Sequence, residues 1–352
     1  MRTTVKSIGV CLLLTGCAIQ PYKKPIPEAA RASFHDVGVY ARADENGVGV
    51  QYLAQDSSAA GAGYGLIGAL VTATIDAVAN ATPLGIAQDA ADKVKPAMSA
   101  ADLQSELELD LAQEFTQSPD FGSVKVSVLP KENKRRRALA HPLITLEVSY
   151  SLATDLRSLQ VTAVGEAYAK GLKGADKNTG LVYRNRFEYH SGLLPKPMGP
   201  SQEEINARVA EFKEKFKKKG KLTQQQTIQM KRELARAREV SPAELADEVV
   251  QRWTADHYAL LQSEIRKGTS IVLELWKRDF ADPSVVDPKK QQPYKTVVEE
   301  RGDRVVVRYN TGLFAGALSS EPKNFMAPGA NGVAFGRADS KAAMTAKAGA
   351  SK

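Results

Sequence analysis

Cations are the side chains whose spacing in this sequence points most directly to chemistry. Lys213, Lys215, Lys217, Lys218, Lys219 and Lys221 crowd one short helical stretch and the break after it, and Lys231, Arg232, Arg236 and Arg238 form a second cluster. Residues 208–238 hold eleven Lys or Arg against three Glu. That segment alone carries +8, as does the whole chain, so the remainder is close to neutral. Charge gathered in this way attracts anionic surfaces, each cation near such a surface contributing about 1 kcal/mol. These ten residues are therefore anion-binding candidates. The loop from Lys131 to Arg137, with Lys134, Arg135 and Arg136, is a smaller cluster of the same kind.

Other familiar chemistry fits poorly. The four histidines, His35, His141, His190 and His257, show no metal-ligand spacing, and no zinc-binding or P-loop motif occurs. His257, near Trp253 and Leu261 on a helix, reads as a packing residue. No G-x-S-x-G turn presents a serine nucleophile. Gly63-Tyr64-Gly65-Leu66-Ile67-Gly68 matches a dinucleotide-binding pattern, with Asp89 some way beyond it. Its glycines, however, belong to a longer row of small residues, Gly61, Gly65, Ala69, Ala73, Ala77 and Ala81, one every four positions. On a helix that row is a smooth packing stripe. The same helix carries Asp76, which a lipid-facing surface would not leave unpartnered. The stripe therefore implies a helix packed closely in the core, or a segment that inserts in a membrane or oligomerises. No metal and no cofactor is expected.

The amino terminus specifies an address. Arg2 and Lys6 precede an apolar run from Ile8 to Leu14, which is too short to span a bilayer. Leu14-Thr15-Gly16-Cys17 follows. This resembles the lipobox of bacterial lipoproteins. The resemblance implies cleavage after Gly16, a thioether-linked diacylglycerol on Cys17 and a further acyl chain, such as palmitate, on the new amine. Two or more chains anchor stably, whereas one is marginal. Ala18 rather than Asp at the next position implies the outer membrane, facing the periplasm or the cell surface. The two cysteines are Cys11 and Cys17, so after cleavage no free thiol remains for a disulfide or a thiolate site.

These features must be held by elements. Residues 1–16 read as the signal peptide and 17–33, with Pro21, Pro25 and Pro27, as a lipidated tether. Residues 34–192 read as an α+β domain. Apolar runs at 37–40 and 48–53 flank Asn46-Gly47, a hairpin signal. Ser99 and Asp102 predict a helix start, with Leu103, Leu107, Leu111 and Phe115 on one face. Alternating runs at 124–128, 143–152, 159–168 and 181–189 predict four strands in an antiparallel meander. Residues 193–283 read as a helical region with the basic segment. Pro195, Pro197 and Pro200 mark a break, and helices start at Ser201 and Ser241. The first of these buries Ile205, Val209, Phe212 and Phe216, with Gly220 interrupting it; the second buries Leu245, Val249, Trp253, Leu260 or Leu261, and Ile265, ahead of a last helix over 270–280. Residues 284–318 hold a terminal hairpin around Arg301-Gly302-Asp303, and 319–352 read as a disordered tail.

The fold class expected is α+β, an antiparallel sheet covered by helices, followed by a helical region and a short carboxy-terminal hairpin. The function expected is that of a non-enzymatic outer-membrane lipoprotein, an accessory or assembly subunit of a cell-envelope complex. Its partners would be the bilayer, through acylated Cys17, and envelope proteins; no nucleic acid is expected. One alternative is a module that binds anionic lipid or glycolipid through residues 208–238. Another is a cell-wall or glycan hydrolase, for which plentiful acids are the sole support.

Overall fold

The computed structural model describes residues 26, 32–34, 37–50, 85–116, 124–131, 139, 142–153, 155–171, 175–176, 179–217, 222–282, 295–309 and 316–323. Its frame is an eight-stranded sheet in the order β2-β1-β3-β4-β5-β8-β7-β6. The strands are β1 (Gly38–Val50), β2 (Lys125–Val128), β3 (Leu143–Leu152), β4 (Leu159–Tyr168), β5 (Leu181–His190), β6 (Lys295–Arg301), β7 (Arg304–Tyr309) and β8 (Leu318–Pro322). The helices are α1 (85–94), α2 (Ala100–Thr116), α3 (Gln202–Lys217), α4 (Gln224–Arg238) and α5 (Pro242–Ala281).

The sheet is mixed, which corrects the antiparallel expectation. The β3–β4–β5 meander and the β6–β7–β8 run are antiparallel. The pairs β1–β2, β1–β3 and β5–β8 are parallel. A parallel neighbour needs a long crossover. The connection from β1 to β2 contains α1 and α2, and that from β5 to β8 contains α3 to α5 together with β6 and β7. The hairpin expected at Asn46-Gly47 is likewise corrected. Residues 38–40 of the first run and 48–50 of the second lie in one strand, β1, and both pair with β3, with the register shifting between Ala43 and Val48; residues 51–53 lie outside the described residues. Asp44 Oδ1 accepts from the Asn46 amide at 2.9 Å and Gly47 takes φ +70°, so the turn residues close an excursion within the strand. The hairpin around Gly302 forms as β6–β7, but β8 joins it to the main sheet, and β8 occupies residues expected in the disordered tail.

Period-two alternation separates the two faces of the sheet. Ile144, Leu146, Val148, Tyr150 and Leu152 of β3 are buried in the core, as are Val161, Ala163 and Ala167 of β4. The helices cover this face. Leu103, Leu107 and Leu111 of α2 are buried as the heptad-like spacing requires. Each fully buried leucine contributes roughly 1.5–3 kcal/mol. Two glycines let α5 press onto the strands. A Cβ on Gly268 would lie 2.5 Å from Val161 Cγ2, and one on Gly165 would lie 2.5 Å from Trp276 Cδ1. The opposite face is polar. Arg42 and Glu147 sit directly across β1 and β3 at 2.9 Å, and Glu166 and Arg184 across β4 and β5 at 3.2 Å.

The helix starts are those the sequence predicts. Ser99–Asp102, Ser201–Glu204 and Ser241–Glu244 each exchange side-chain and backbone bonds. Thr223–Gln226 makes a fourth such box, at the start of α4. Instead of two helices parted near residue 268, α5 runs to Ala281 and breaks at Ala255–Tyr258. Asp256, His257 and Tyr258 take φ of +49°, +54° and +66°, a costly region for residues with a Cβ. The Trp253 indole N–H donates to Leu156 O at 2.6 Å just before the break. His257 is exposed there, which corrects its expected role in packing. Of the expected apolar face, Val249, Trp253, Leu261 and Ile265 are buried, whereas Leu245 is half-buried and Leu260 exposed.

Candidate functional site

The basic segment folds as a helical hairpin. On α3, Ile205, Val209, Phe212 and Phe216 recur at helical spacing; Val209 and Phe216 are buried, the other two half-buried. On α4, Met230, Leu234 and Ala237 form the matching stripe, with Ala237 buried. The two helices pack chiefly against each other. Arg208 ties the hairpin to α5 through Glu244 at 2.5 Å. With the apolar stripes turned inward, Lys213, Lys215, Lys217, Lys231, Arg232 and Arg238 are all exposed. Lys215 pairs with Glu211 and Lys217 with Glu214, both at 2.6 Å. Lys213, Lys231, Arg232 and Arg238 form no ion pair among the described residues. Glu211 titrates below the usual carboxylate range because Lys215 bonds to it.

The proline-rich break before α3 is a fixed loop. The Leu194 amide donates to Arg157 O at 2.7 Å, and Arg157 Nε returns a bond to Leu194 O at 2.7 Å. Arg252 donates to Pro195 O at 2.6 Å. The Glu248 carboxylate accepts from the amides of Met198 and Gly199 at 3.2 and 2.9 Å, and from Arg252 at 2.6 Å. The Gly199 amide, then Met198 and Arg252, outweigh partial burial and hold Glu248 below its ordinary range. Gly199 has φ +71°, and a Cβ there would come within 3.0 Å of Val240. The loop is thus clamped to α5 and to the end of α4, yet Met198 is 88% exposed and Leu193 46% exposed.

Two polar clusters lie inside the body. Asp279 of α5 accepts from Tyr183 Oη at 3.0 Å, Asn185 Nδ2 at 2.7 Å and Arg308 at 3.0 Å. Arg308 also reaches Asp282 and the Gly316 carbonyl, so this cluster joins β5, α5 and β7. Burial, reinforced by Asp279, raises the Tyr183 hydroxyl well above its usual range. On the polar face of the sheet, burial would raise the Glu188 carboxyl, but His190 and Arg186 outweigh it and hold the group below its usual range. Both arrangements pair buried charge with hydrogen-bond partners. A cavity of about 520 Å³ beside the β1 excursion is lined by Arg42, Asp44, Asn46, Lys131, Glu147 and Thr162. Among the described residues no group of three His, Cys, Asp or Glu is placed to hold a metal, and no helix is long and apolar enough to cross a membrane.

The hairpin brings together Lys213, Lys215, Lys217, Lys231, Arg232 and Arg238 from the expected anion-binding set. Lys218, Lys219, Lys221 and the side chain of Arg236 lie outside the described residues, as do Cys17 and the stripe from Gly61 to Ala81. In the second basic cluster Lys131 is exposed and ion-paired with Glu45, and residues 132–138 lie outside the description. Sequence reasoning missed α4, although Thr223 and Gln226 carry its signature, and it missed the exposed Met198. No signal near Met198 announces the clamp, because Glu248 and Arg252 stand some fifty residues away. Comparison of the chain with protein-family models, curated proteins and solved structures finds no match.

Proposed function

We propose that this chain is a non-enzymatic outer-membrane lipoprotein that works by contact, as an accessory or assembly subunit of a cell-envelope complex. The observation that carries the reading is the α3–α4 hairpin. Its helices spend their apolar faces on each other and turn cations without acidic partners outward. Such an element adds little to the core, and it suits a surface that a second molecule neutralises. The lipobox-like Leu14-Thr15-Gly16-Cys17 supplies the location. Crosslinked pull-down from native membranes, with Cys17→Ser as control, tests the reading. A stoichiometric set of envelope proteins that disappears in the control is expected; a chain recovered alone from both overturns it.

A second reading, a module for anionic lipid or glycolipid, is favoured by Lys213, Lys231, Arg232 and Arg238, which have no carboxylate partner among the described residues. On this reading the hairpin meets phosphate-bearing head groups directly.

A further inference from the structure

We propose that the loop 193–199 and the α3–α4 hairpin form one docking face for an anionic phospholipid bilayer, with Met198 and Leu193 as its inserting side chains. The inference rests on the lipoprotein reading, which supplies the bilayer, and it specifies how the body lies against it. Ile26 is buried in the core and Ala32–Phe34 forms a 3-10 turn, which corrects the tether expected over 17–33; the stretch from Cys17 to Ile26 reaches at most roughly 30 Å when fully extended, so an anchored body would remain beside the membrane.

Rigidity is the first argument. An exposed methionine on a loose loop would be unremarked, because its ordering on contact would offset much of the gain. Here the backbone around Met198 is already held by Glu248, Arg252 and Arg157, and the side chain is nevertheless 88% exposed. Charge is the second. Lys196 lies exposed in the same loop. Gly199 packs on Val240, two positions beyond Arg238, so the loop sits at the base of the basic hairpin. From that base α3 extends by about 24 Å, at 1.5 Å for each of its 16 residues, toward Lys213, Lys215 and Lys217.

The pattern of apolar exposure selects the occupant. A protein interface of ordinary size has a continuous apolar centre with a polar rim. Leu193 and Met198 are isolated points with Lys196 between them. A fluid layer of anionic head groups over acyl chains accepts that mixture: cations stay at the phosphates while single apolar side chains enter between them.

The test uses the complete chain carrying Cys17→Ser, which removes the acylated sulfur, in sedimentation with equimolar phosphatidylglycerol–phosphatidylcholine vesicles and with phosphatidylcholine vesicles alone. Binding to the anionic vesicles should exceed binding to the neutral ones by roughly tenfold or more and weaken with salt. Combined Lys213→Gln, Lys231→Gln, Arg232→Gln and Arg238→Gln should abolish that preference. Met198→Ser, a change at an exposed side chain that should leave the thermal melt unchanged, should weaken binding several-fold. Equal binding to both vesicle types, no binding, or binding indifferent to Met198→Ser overturns the proposal. Loss of a crosslinked protein in Met198→Ser without vesicle binding also overturns it, in favour of a protein partner. Acyl labelling of the parent chain against Cys17→Ser separately tests the anchor, so failure of the lipoprotein reading and failure of the docking face are distinguished.

Discussion

A single carboxylate on α2 shows how residues here are tuned by neighbours one turn away. Asp110 lies between Glu106 and Glu114 on the same helix face. Glu106 is bonded to Arg266 at 3.0 Å and Glu114 to Lys277 at 2.6 Å, whereas Asp110 has no such partner among the described residues. Burial and the two glutamates raise Asp110 above its ordinary value of 3.8, with Arg266 acting in the opposite sense. A carboxyl raised in the folded chain binds its proton more tightly there than when unfolded. The contribution of Asp110 to stability is therefore greatest below the ordinary aspartate range and falls as pH rises through 3.8 toward the raised value. Asp110→Asn should stabilise the protein near neutral pH and give no gain in acid, read as urea midpoints at the two pH values. An equal change at both would show that the carboxylate does not titrate differently on folding. Glu188 has the opposite sign: held low by His190 and Arg186, it supports the fold above its ordinary range and is lost as pH falls below it.

At the scale of elements, close approach of α5 to the sheet is the most exposed dependency. Gly268 of α5 leaves no space for a methyl group between Val161 and Tyr189. Alanine is the better helix former by about 1 kcal/mol, but overpacking costs roughly 1–3 kcal/mol. Gly268→Ala should therefore lower the denaturation midpoint, and a raised midpoint would show that α5 does not sit this close. Much of this layer is legible in sequence. The bounds of β3 and β4 coincide with the alternating runs, and three helix starts carry their capping residues. What was lost has a common cause. The β1 excursion carries hairpin chemistry, but pairing with β3 on both sides of it decides the strand's path. The three prolines before α3 announce a break without indicating that Glu248 and Arg252 fix it. Local sequence signals local geometry, whereas these outcomes depend on partners distant along the chain.

At the scale of the molecule, two antiparallel runs, β3–β4–β5 and β6–β7–β8, join at the parallel β5–β8 seam, and β1 and β2 extend the sheet in parallel beyond β3. The seam is short: Phe187, Glu188 and Tyr189 of β5 face Leu318, Ser319 and Ser320 of β8. Arg304 reinforces it by donating to the carbonyls of His190 and Ser320, at 2.6 and 2.7 Å, and Asp279 does so through Arg308. Few ladder bonds and a charged hinge make the β6–β8 block the weaker partner. Native-state hydrogen exchange should show amides of β6, β7 and β8 opening together at lower free energy than those of β3 to β5. Uniform protection across the sheet would contradict this. The antiparallel expectation failed at β1, which lies parallel to and between β2 and β3, and again at this seam, because parallel pairing across long connections leaves no mark on a strand's own alternation.

The same seam sets an order of events during folding. Its two sides are more than a hundred residues apart in the chain, so its closure is slow relative to the meander, whose strands are neighbours. In the interval β5 has one edge without its ladder, and an unpaired edge is a template for another chain. Protection in that interval would fall to whatever covers β5 before β8 arrives. A chain emerging amino end first would therefore pass through its most aggregation-prone state after β5 is made and before Leu318 is available.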